Sequence, residues 1–130
     1  MRIIFSKGDL KYHQFTVEEG DFATFTSEAV HQVCSTFALA REIEWSTRLF
    51  VKDMLAYDEE GIGTKLNISH VGPAVAGDTV EIIAIFEGIT DQEVICSYAA
   101  KVGERIVAMG ETGQKIIPKE KLQRIFDNLK

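Results

Sequence analysis

The fold is decided by one stretch, TFALAREIEWSTRLFVKDMLAY, which occupies residues 36–57. Its apolar side chains fall on one face of a helix when the chain turns by about 100° per residue. That face carries Leu39, Ala40, Ile43, Thr47, Phe50 and Met54, and the opposite face carries Arg41, Arg48 and Lys52. An apolar face of this length packs against a sheet or another helix. We therefore predict a long amphipathic helix around which the other elements are arranged.

Glu44 interrupts the pattern of this helix. It lies on the shoulder of the apolar face, with Phe37, Val51 and Leu55 as its neighbours along the helix. A carboxylate among apolar groups costs free energy unless it is paired, hydrogen-bonded or protonated. Two interpretations are open, namely a structural glutamate that reaches solvent or caps a buried donor, and a functional carboxylate.

The ends of the helix carry recognisable signals. Ser35 or Thr36 can act as the N-cap, because a hydroxyl oxygen there accepts a hydrogen bond from a backbone N–H of the first turn. We place the other end near residues 58–61, where Gly61 can adopt the left-handed conformation that terminates helices.

The remaining chain has mainly the pattern of strands. Strands are predicted at residues 9–17, 61–71, 79–89, 93–102 and 105–117, with a tail helix after Pro118. Residues 22–35 are predicted as a loop with one helical turn around residues 27–31. Because residues 79–89 are almost wholly apolar, that strand should lie inside the sheet or be buried on both faces. The order is strand, long helix, antiparallel meander of four strands and tail helix, which indicates an α+β domain whose sheet wraps the helix.

His70 is the second polar residue that does not fit a simple core. Alternation along residues 61–71 places it on the same face as Leu66 and Ile68, towards the predicted core. A lone histidine on an apolar face is more often a core residue with satisfied hydrogen bonds than a functional group. Its location at the strand end, just before the Gly72-Pro73 break, gives the two interpretations equal weight here.

The composition limits the class of protein. The chain has 130 residues and a net charge of −6, with 14 basic and 20 acidic residues. It is predicted to form one domain, residues 1–130, and the negative charge argues against nucleic acid as the main partner. The absence of a signal peptide or a long apolar run predicts a cytoplasmic protein with no membrane span. The three histidines are too scattered to predict a metal site.

The two cysteines predict no disulfide scaffold. Cys34 and Cys96 are expected to be reduced and buried as small hydrophobic side chains. Cys34 lies near Thr36, so a thiol nucleophile is a further hypothesis.

Three groups of residues resemble a known family. Thr36 stands eight residues before Glu44-Trp45, Gly-Ile-Gly-Thr occupies residues 61–64, and Ile-Ser-His at 68–70 precedes Pro73 and Gly-Asp at 77–78. In this order and spacing, residues 33–77 resemble the hotdog-fold thioesterases, in particular the branch that includes the fluoroacetyl-CoA thioesterase. The resemblance implies a hotdog fold and an acyl-CoA substrate, and we predict no cofactor.

The same resemblance implies roles for individual residues. Thr36, Glu44 and His70 would be the catalytic residues, and Gly63 would line the substrate site from the partner subunit of a homodimer. Two departures are visible. Gln114 stands where the related enzyme has a basic residue, and residues 27–33 contain no phenylalanine that could close over a small acyl group. We therefore do not infer fluoroacetyl specificity.

The chemistry implied by these residues is thioester hydrolysis. We predict that Glu44 and His70 direct a water to the carbonyl while Thr36 positions the thioester. Attack by Thr36 itself is the alternative, although a regular helix would separate Thr36 and Glu44 by about 12 Å along its axis. Candidate cations for the CoA phosphates are Lys65, Lys115, Lys119 and Lys121.

Two other functions compete with hydrolysis. The first is a non-catalytic hotdog module that binds an acyl thioester as a sensor or partner. The second is a hotdog dehydratase or hydratase, which is less favoured because no Asp/His pair stands at the start of a helix.

Overall fold

The computed structural model describes residues 1–25 and 28–130. The strands are β1 (Leu10–Thr16), β2 (Phe22–Phe25), β3 (Glu28–Cys34), β4 (Glu59–Leu66), β5 (Ser69–His70), β6 (Thr79–Thr90), β7 (Glu93–Val102) and β8 (Arg105–Pro118), and the helices are α1 (Thr36–Met54) and α2 (Lys119–Asn128). A short 3-10 turn, Glu19–Asp21, precedes β2. Helix α1 spans most of the predicted helix, and the predicted tail helix corresponds to α2.

Helix α1 begins where the sequence predicts and ends earlier. Ser35 is the N-cap, and its Oγ accepts a hydrogen bond from Ala38 N at 3.0 Å. The helix ends at Met54 because the backbone becomes extended at Leu55. The predicted end near residues 58–61 is therefore wrong, and Gly61 lies inside β4.

The buried face of α1 holds the core together. The predicted positions Leu39, Ile43, Thr47, Phe50 and Met54 are all buried, whereas Ala40 is half-buried. The first half of the helix belongs to a cluster that includes Ile82, Ala100 and Val107 of the sheet. The second half packs with Phe86, Val94 and Ile116. One helix therefore fills the concave side of the sheet along its whole length.

The main sheet is antiparallel, with strand order β1-β6-β7-β8-β4, and β5 also pairs with β8. Helix α1 contacts each of the five strands of that order, so the sheet curves around it and the predicted α+β class is confirmed. Strand β6 lies inside the sheet, as predicted. The predicted meander is wrong at its first strand, since β4 pairs with β8 while β1 occupies the edge of β6.

Residues 22–35 differ from the predicted loop. Strands β2 and β3 pair as an antiparallel hairpin, so neither the loop nor the helical turn is present where the structure describes this segment. The pairing shifts register twice, between Phe22 and Ala23 and between Ala23 and Thr24. Such irregular pairing removes the regular alternation that identifies a strand in a sequence. Residues 26–27 lie outside the described residues.

The predicted strand at 61–71 is two strands. The register with β8 shifts between Gly63 and Lys65, which leaves Thr64 as a bulge. Pairing resumes at β5 after a break at residues 67–68. The bulge and the break mean that residues 62–70 do not share one continuous face.

Within the described residues, neither helix combines the length and apolar character needed to span a bilayer.

Candidate active site

The first part of the site is a pair formed by Thr36 and His70. Thr36 is the first residue of α1, and His70 lies on β5. Thr36 Oγ1 and His70 Nδ1 are 2.9 Å apart and hydrogen-bonded. The hydroxyl donates when Nδ1 is unprotonated and accepts when Nδ1 carries the proton. The two residues that sequence reasoning placed together are thus in direct contact.

His70 owes its position to the sheet. It pairs with Ala108 of β8, which lies opposite Ala100 of β7, which in turn lies opposite Ile82 of β6. These three neighbours are fully buried beneath α1. Directly opposed residues of a sheet share a face, so His70 lies on the face that carries the helix. The predicted inward direction of His70 is confirmed.

A cleft of about 380 Å³ opens beside the Thr36–His70 pair. It is lined by Val33, Cys34, Thr36, His70, Val71, Gly72 and Pro73. The backbone N–H groups of Thr36 and Phe37 have no hydrogen-bond acceptor among the described residues, because the Ser35 cap serves Ala38. Such N–H groups carry the partial positive charge of a helix N-terminus. The cleft therefore combines a hydroxyl, an imidazole and backbone donors.

Cys34 lines this cleft but is a poor nucleophile. Burial, with a smaller contribution from the Asp21 carboxylate, raises the pKa of the Cys34 thiol to about 11. The thiolate is the reactive form of cysteine, so little of it is present near neutral pH. The hypothesis of a thiol nucleophile is not supported.

The second part of the site is the contact between Glu44 and Gly63. A Cβ atom added at Gly63 would lie 2.5 Å from Glu44 Oε1 and 3.6 Å from Glu44 Cδ. A larger residue at this position would therefore displace the end of the Glu44 side chain, whereas glycine leaves the carboxylate where it is. Gly63 thus lies against Glu44 of its own chain.

Glu44 does not lie among buried apolar groups as the sequence pattern suggested. Its side chain is exposed, and its neighbour Phe37 is 82% exposed. The reason is that the buried face of α1 is centred on Ile43 and Thr47, so Glu44 faces outward. A second cleft of about 400 Å³ is lined by Arg41, Glu42, Glu44, Trp45 and Arg48.

The two parts are separate within one chain. Thr36 is already in the first turn of α1, so eight residues of regular helix place Glu44 about 12 Å further along the axis. The structure brings Thr36 to His70 and Glu44 to Gly63, but it does not bring the Glu44 carboxylate to Thr36. A direct Thr36–Glu44 contact would need Thr36 to precede the helix, and it does not.

The start of α1 is anchored by Asp21. Its backbone oxygen accepts from Ser35 N at 2.8 Å, and its Oδ1 accepts from Arg41 Nη2 at 2.9 Å. Partial burial would raise the pKa of the Asp21 carboxyl, but hydrogen bonds from Arg41 and from the Glu18 backbone outweigh this and lower it. Asp21 is therefore a carboxylate held by the helix that it anchors.

A buried residue near Glu44 was not predicted as part of the site. The side chain of Gln114, on β8, is 1% exposed and bonds to α1 in the turn that carries Glu44. Sequence reasoning noted Gln114 only as a departure from the related enzyme. The alternation of Thr112, Gln114 and Ile116 along β8 was the signal that places Gln114 on the buried face.

The described residues contain no cluster of three His, Cys, Asp or Glu side chains suited to a metal ion. Of the lysines predicted to face CoA phosphates, Lys65 forms an exposed ion pair with Glu111 at 3.5 Å.

Comparison with known proteins identifies the family to which the chain is similar. The family model described as FlK, fluoroacetyl-CoA-specific thioesterase, matches residues 17–120. No curated protein matches the sequence significantly.

Solved structures share the whole fold. A Thermus thermophilus hypothetical protein, described as a thioesterase superfamily member, is 25% identical with a TM-score of 0.92 over 98% of this chain and 94% of that chain. The fluoroacetyl-CoA thioesterase FlK is 18% identical, with a TM-score of 0.85 over 95% of this chain and 96% of that chain. A hot-dog-like protein from Thermanaerovibrio acidaminovorans is 20% identical, with a TM-score of 0.88 over 97% of this chain and 94% of that chain. The fold is a hotdog fold.

Proposed function

The chain belongs to the fluoroacetyl-CoA-specific thioesterase family and is a thioester hydrolase, and we propose that it hydrolyses an acyl-CoA to the free acid and CoA through Thr36, His70 and Glu44. The observation that carries the proposal is the 2.9 Å hydrogen bond between Thr36 and His70 at the N-terminus of α1. A FlK variant has been solved in complex with acetyl-CoA, which supports acyl-CoA as the ligand class.

The N-terminus of α1 is the proposed site for the thioester carbonyl. The N–H groups of Thr36 and Phe37 point out of the first turn and can hold the negative charge that develops on the carbonyl oxygen. When His70 Nδ1–H donates to Thr36 Oγ1, the threonine hydroxyl hydrogen is available for the same oxygen. Thr36 then positions and polarises the thioester.

A water is the proposed nucleophile. In the tautomer just described, His70 Nε2 can accept a proton from water, and Glu44 provides a second acceptor. The water oxygen bonds to the carbonyl carbon, one water proton passes to His70 Nε2, and collapse of the tetrahedral intermediate then breaks the C–S bond. The departing CoA thiolate takes that proton from the imidazolium, which returns His70 to its neutral starting form.

Attack by Thr36 is the second candidate mechanism, favoured by the same hydrogen bond with the opposite donor. If Thr36 donates to His70 Nδ1, the hydroxyl is a nucleophile paired with its base. Rapid acid quenching during turnover, followed by mass spectrometry of the peptide that contains Thr36, separates the two. An acyl group on that peptide supports Thr36 attack, and unmodified peptide throughout turnover supports water attack.

The separation of Thr36 and Glu44 along α1 leads us to propose a homodimer with shared sites. Glu44 and Gly63 of the partner subunit would complete each Thr36–His70 pair. Strand β4 is an edge strand whose Gly63, Thr64, Lys65 and Leu66 are exposed in the single chain. An exposed strand edge is a ready surface for pairing with a second chain. The edges of the main sheet are β1 and β4, and the position of Gly63 beside Glu44 on β4 supports β4 as the edge that pairs.

The proposal names acyl-CoA as the substrate class and no particular acyl group. Gln114 is not basic, and residues 27–33 contain no phenylalanine. The side chains of residues 24–31 lie outside the described part of the structure. Fluoroacetyl specificity is therefore not part of the proposal.

An assay of free thiol release over acyl-CoA substrates of increasing chain length tests the proposed function. Hydrolysis at one or more lengths is expected, and the profile would define the acyl class. Binding of acyl-CoA with no thiol release at any length would instead support the non-catalytic module.

A further inference from the structure

Gln114 is a buried amide whose hydrogen bonds all lead to the turn that carries Glu44. Its Nε2 donates to Thr47 Oγ1 at 3.1 Å and to the backbone oxygen of Glu44 at 3.3 Å. Its Oε1 accepts from Arg48 Nη1 at 3.5 Å. Both amide hydrogens and the amide oxygen therefore have partners, which is the condition for burying an amide without a large cost.

The orientation of this amide is set by its neighbours. Thr47 Oγ1 donates to the backbone oxygen of Glu44 at 3.2 Å, so its lone pair faces Gln114. With the amide turned over, its oxygen would meet the Glu44 carbonyl oxygen and the Thr47 oxygen, and its NH₂ would meet the Arg48 guanidinium. Only the observed orientation pairs donors with acceptors at all three positions.

The same network reaches the edge strand. Arg48 Nη1 also donates to the backbone oxygen of Gly61 at 3.0 Å. In the register of the sheet, Gly63 of β4 lies directly opposite Gln114 of β8. Gln114 thus lies beneath the Glu44–Gly63 contact. It bonds directly to the turn of α1 that carries Glu44, and it is connected to β4 by strand pairing and through Arg48.

We propose that Gln114 is a positioning residue for catalysis. It fixes the turn of α1 that carries Glu44 to β8, and this keeps the Glu44 carboxylate beside Gly63. This rests on the proposed function, in which Glu44 acts on the water. A side chain placed 1 Å away from its working position can cost on the order of 10²-fold in rate. Loss of the amide should therefore lower kcat much more than it raises KM.

Two variants of similar size remove the amide donors. Gln114→Met removes all three hydrogen bonds, and Gln114→Glu keeps an acceptor for Arg48 but loses both donors. The matched control is Ile116→Val, because Ile116 is also 1% exposed on the same face of β8 but belongs to the apolar cluster around Phe50. Thermal unfolding of each variant establishes that kinetics are measured on folded protein.

The test is a double-mutant cycle with Glu44→Gln, measured as kcat and KM for thiol release. We expect Gln114→Met and Gln114→Glu to lower kcat by about tenfold to 10²-fold with KM changed less than about threefold, and Ile116→Val to leave kcat near wild type. In the Glu44→Gln background, Gln114→Met should add little further loss, because it acts through Glu44.

The outcomes separate this inference from the proposed function. A wild-type kcat in Gln114→Met, with Glu44→Gln inactive, overturns the positioning role alone. A loss that adds fully to that of Glu44→Gln also overturns it, since a merely structural effect would not depend on Glu44. A wild-type kcat in Glu44→Gln overturns the catalytic role of Glu44 and the positioning role together.

Discussion

At the scale of single residues, the proposed site depends on two close contacts. Thr36 and His70 share a hydrogen bond of 2.9 Å. Gly63 has no side chain, and the space that a methyl group would fill is taken by the Glu44 carboxylate. Neither contact requires burial, since Thr36 and Glu44 are both exposed in the single chain. Exposed polar side chains that line clefts, as Thr36 and Glu44 do, are more typical of a site that meets a ligand or a partner than of a core.

The Glu44–Gly63 contact predicts the effect of a single methyl group. In Gly63→Ala, the new Cβ would lie 2.5 Å from Glu44 Oε1, so the carboxylate must move. We expect kcat for acyl-CoA hydrolysis to fall by about tenfold or more, with the fold retained. Gly20→Ala is the control, because nothing lies within 4 Å of a Cβ at Gly20. Equal rates for the two variants would contradict the role given to this contact.

The Thr36–His70 pair predicts the behaviour of His70→Ala. The imidazole is half-buried at the end of a short strand and contacts the start of α1, so its removal should leave the sheet intact. We expect kcat to fall by about 10²-fold to 10⁴-fold, the range typical of a lost general base. Circular dichroism and thermal unfolding provide the control for folding. A wild-type rate in a folded variant would identify His70 as a structural residue.

At the scale of elements, the sequence predicts what local periodicity determines. The face of α1 is correct because apolar residues such as Leu39, Ile43 and Phe50 recur with the helical period along a helix of nineteen residues. Strands β6, β7 and β8 are correct because each is a run of β-favouring residues, and turn residues at 90–92 and 103–104 separate one run from the next. The partner of β4 is wrong because its pairing with β8 joins Gly63 to Gln114, which are far apart in the sequence and carry no local signal.

The site was predictable to a similar extent. The pairing of Thr36 with His70 followed from the family resemblance and from the inward face of His70. The anchoring of Glu44 by Gln114, Thr47 and Arg48 did not, because it requires α1 and β8, which are far apart in the sequence, to be placed against each other in space. Thr47 belongs to the apolar face by its position in the sequence. The hydrogen bond that its hydroxyl accepts can be recognised only when Gln114 has been placed beside it.

The anchoring of α1 by the 3-10 turn predicts a pH dependence of stability. The pKa of Asp21 is lowered in the folded protein, so its contribution is fully present above the pKa of the unfolded chain, near 3.8, and is lost as pH falls through the lower folded pKa. Asp21→Asn should lower the free energy of unfolding at neutral pH by about 1 kcal/mol, a modest value because Arg41 is half exposed.

Urea unfolding of wild type and Asp21→Asn between about pH 7 and about pH 2 measures this contribution. The difference between the two proteins should shrink towards the acid end. The control is Asp127→Asn on α2, whose ion pair with Lys130 is exposed on both sides and should contribute little at any pH. A difference for Asp21→Asn that stays constant with pH would contradict the assigned role of its charge.

At the scale of the whole molecule, the proposed dimer requires each chain to carry two halves of a site. The N-terminal end of α1 holds Thr36 against His70, and the middle of α1 presents Glu44 beside the edge strand β4. A two-fold interface is formed by the same surface of both chains, so every contact from the first chain to the second is repeated from the second to the first. Two chains related in this way can form two complete sites, each with residues from both subunits.

This arrangement predicts a dimer in solution. Sedimentation equilibrium at micromolar protein should give twice the chain mass of 14.5 kDa. The expected interface includes β4, so a Leu66→Lys substitution on this exposed edge should weaken association. A mass of one chain throughout the concentration range would contradict the shared site.

Subunit complementation between His70→Ala and Glu44→Gln tests the shared site most directly. Each variant alone should be nearly inactive. When equal amounts are mixed and allowed to exchange subunits, half of the dimers are mixed, and one of their two sites combines Thr36 and His70 of one subunit with Glu44 of the partner subunit, all unchanged. The mixture should therefore regain about a quarter of the wild-type activity. If every site lay within one chain, each site would carry a substitution, and a mixture as inactive as its components would contradict the account.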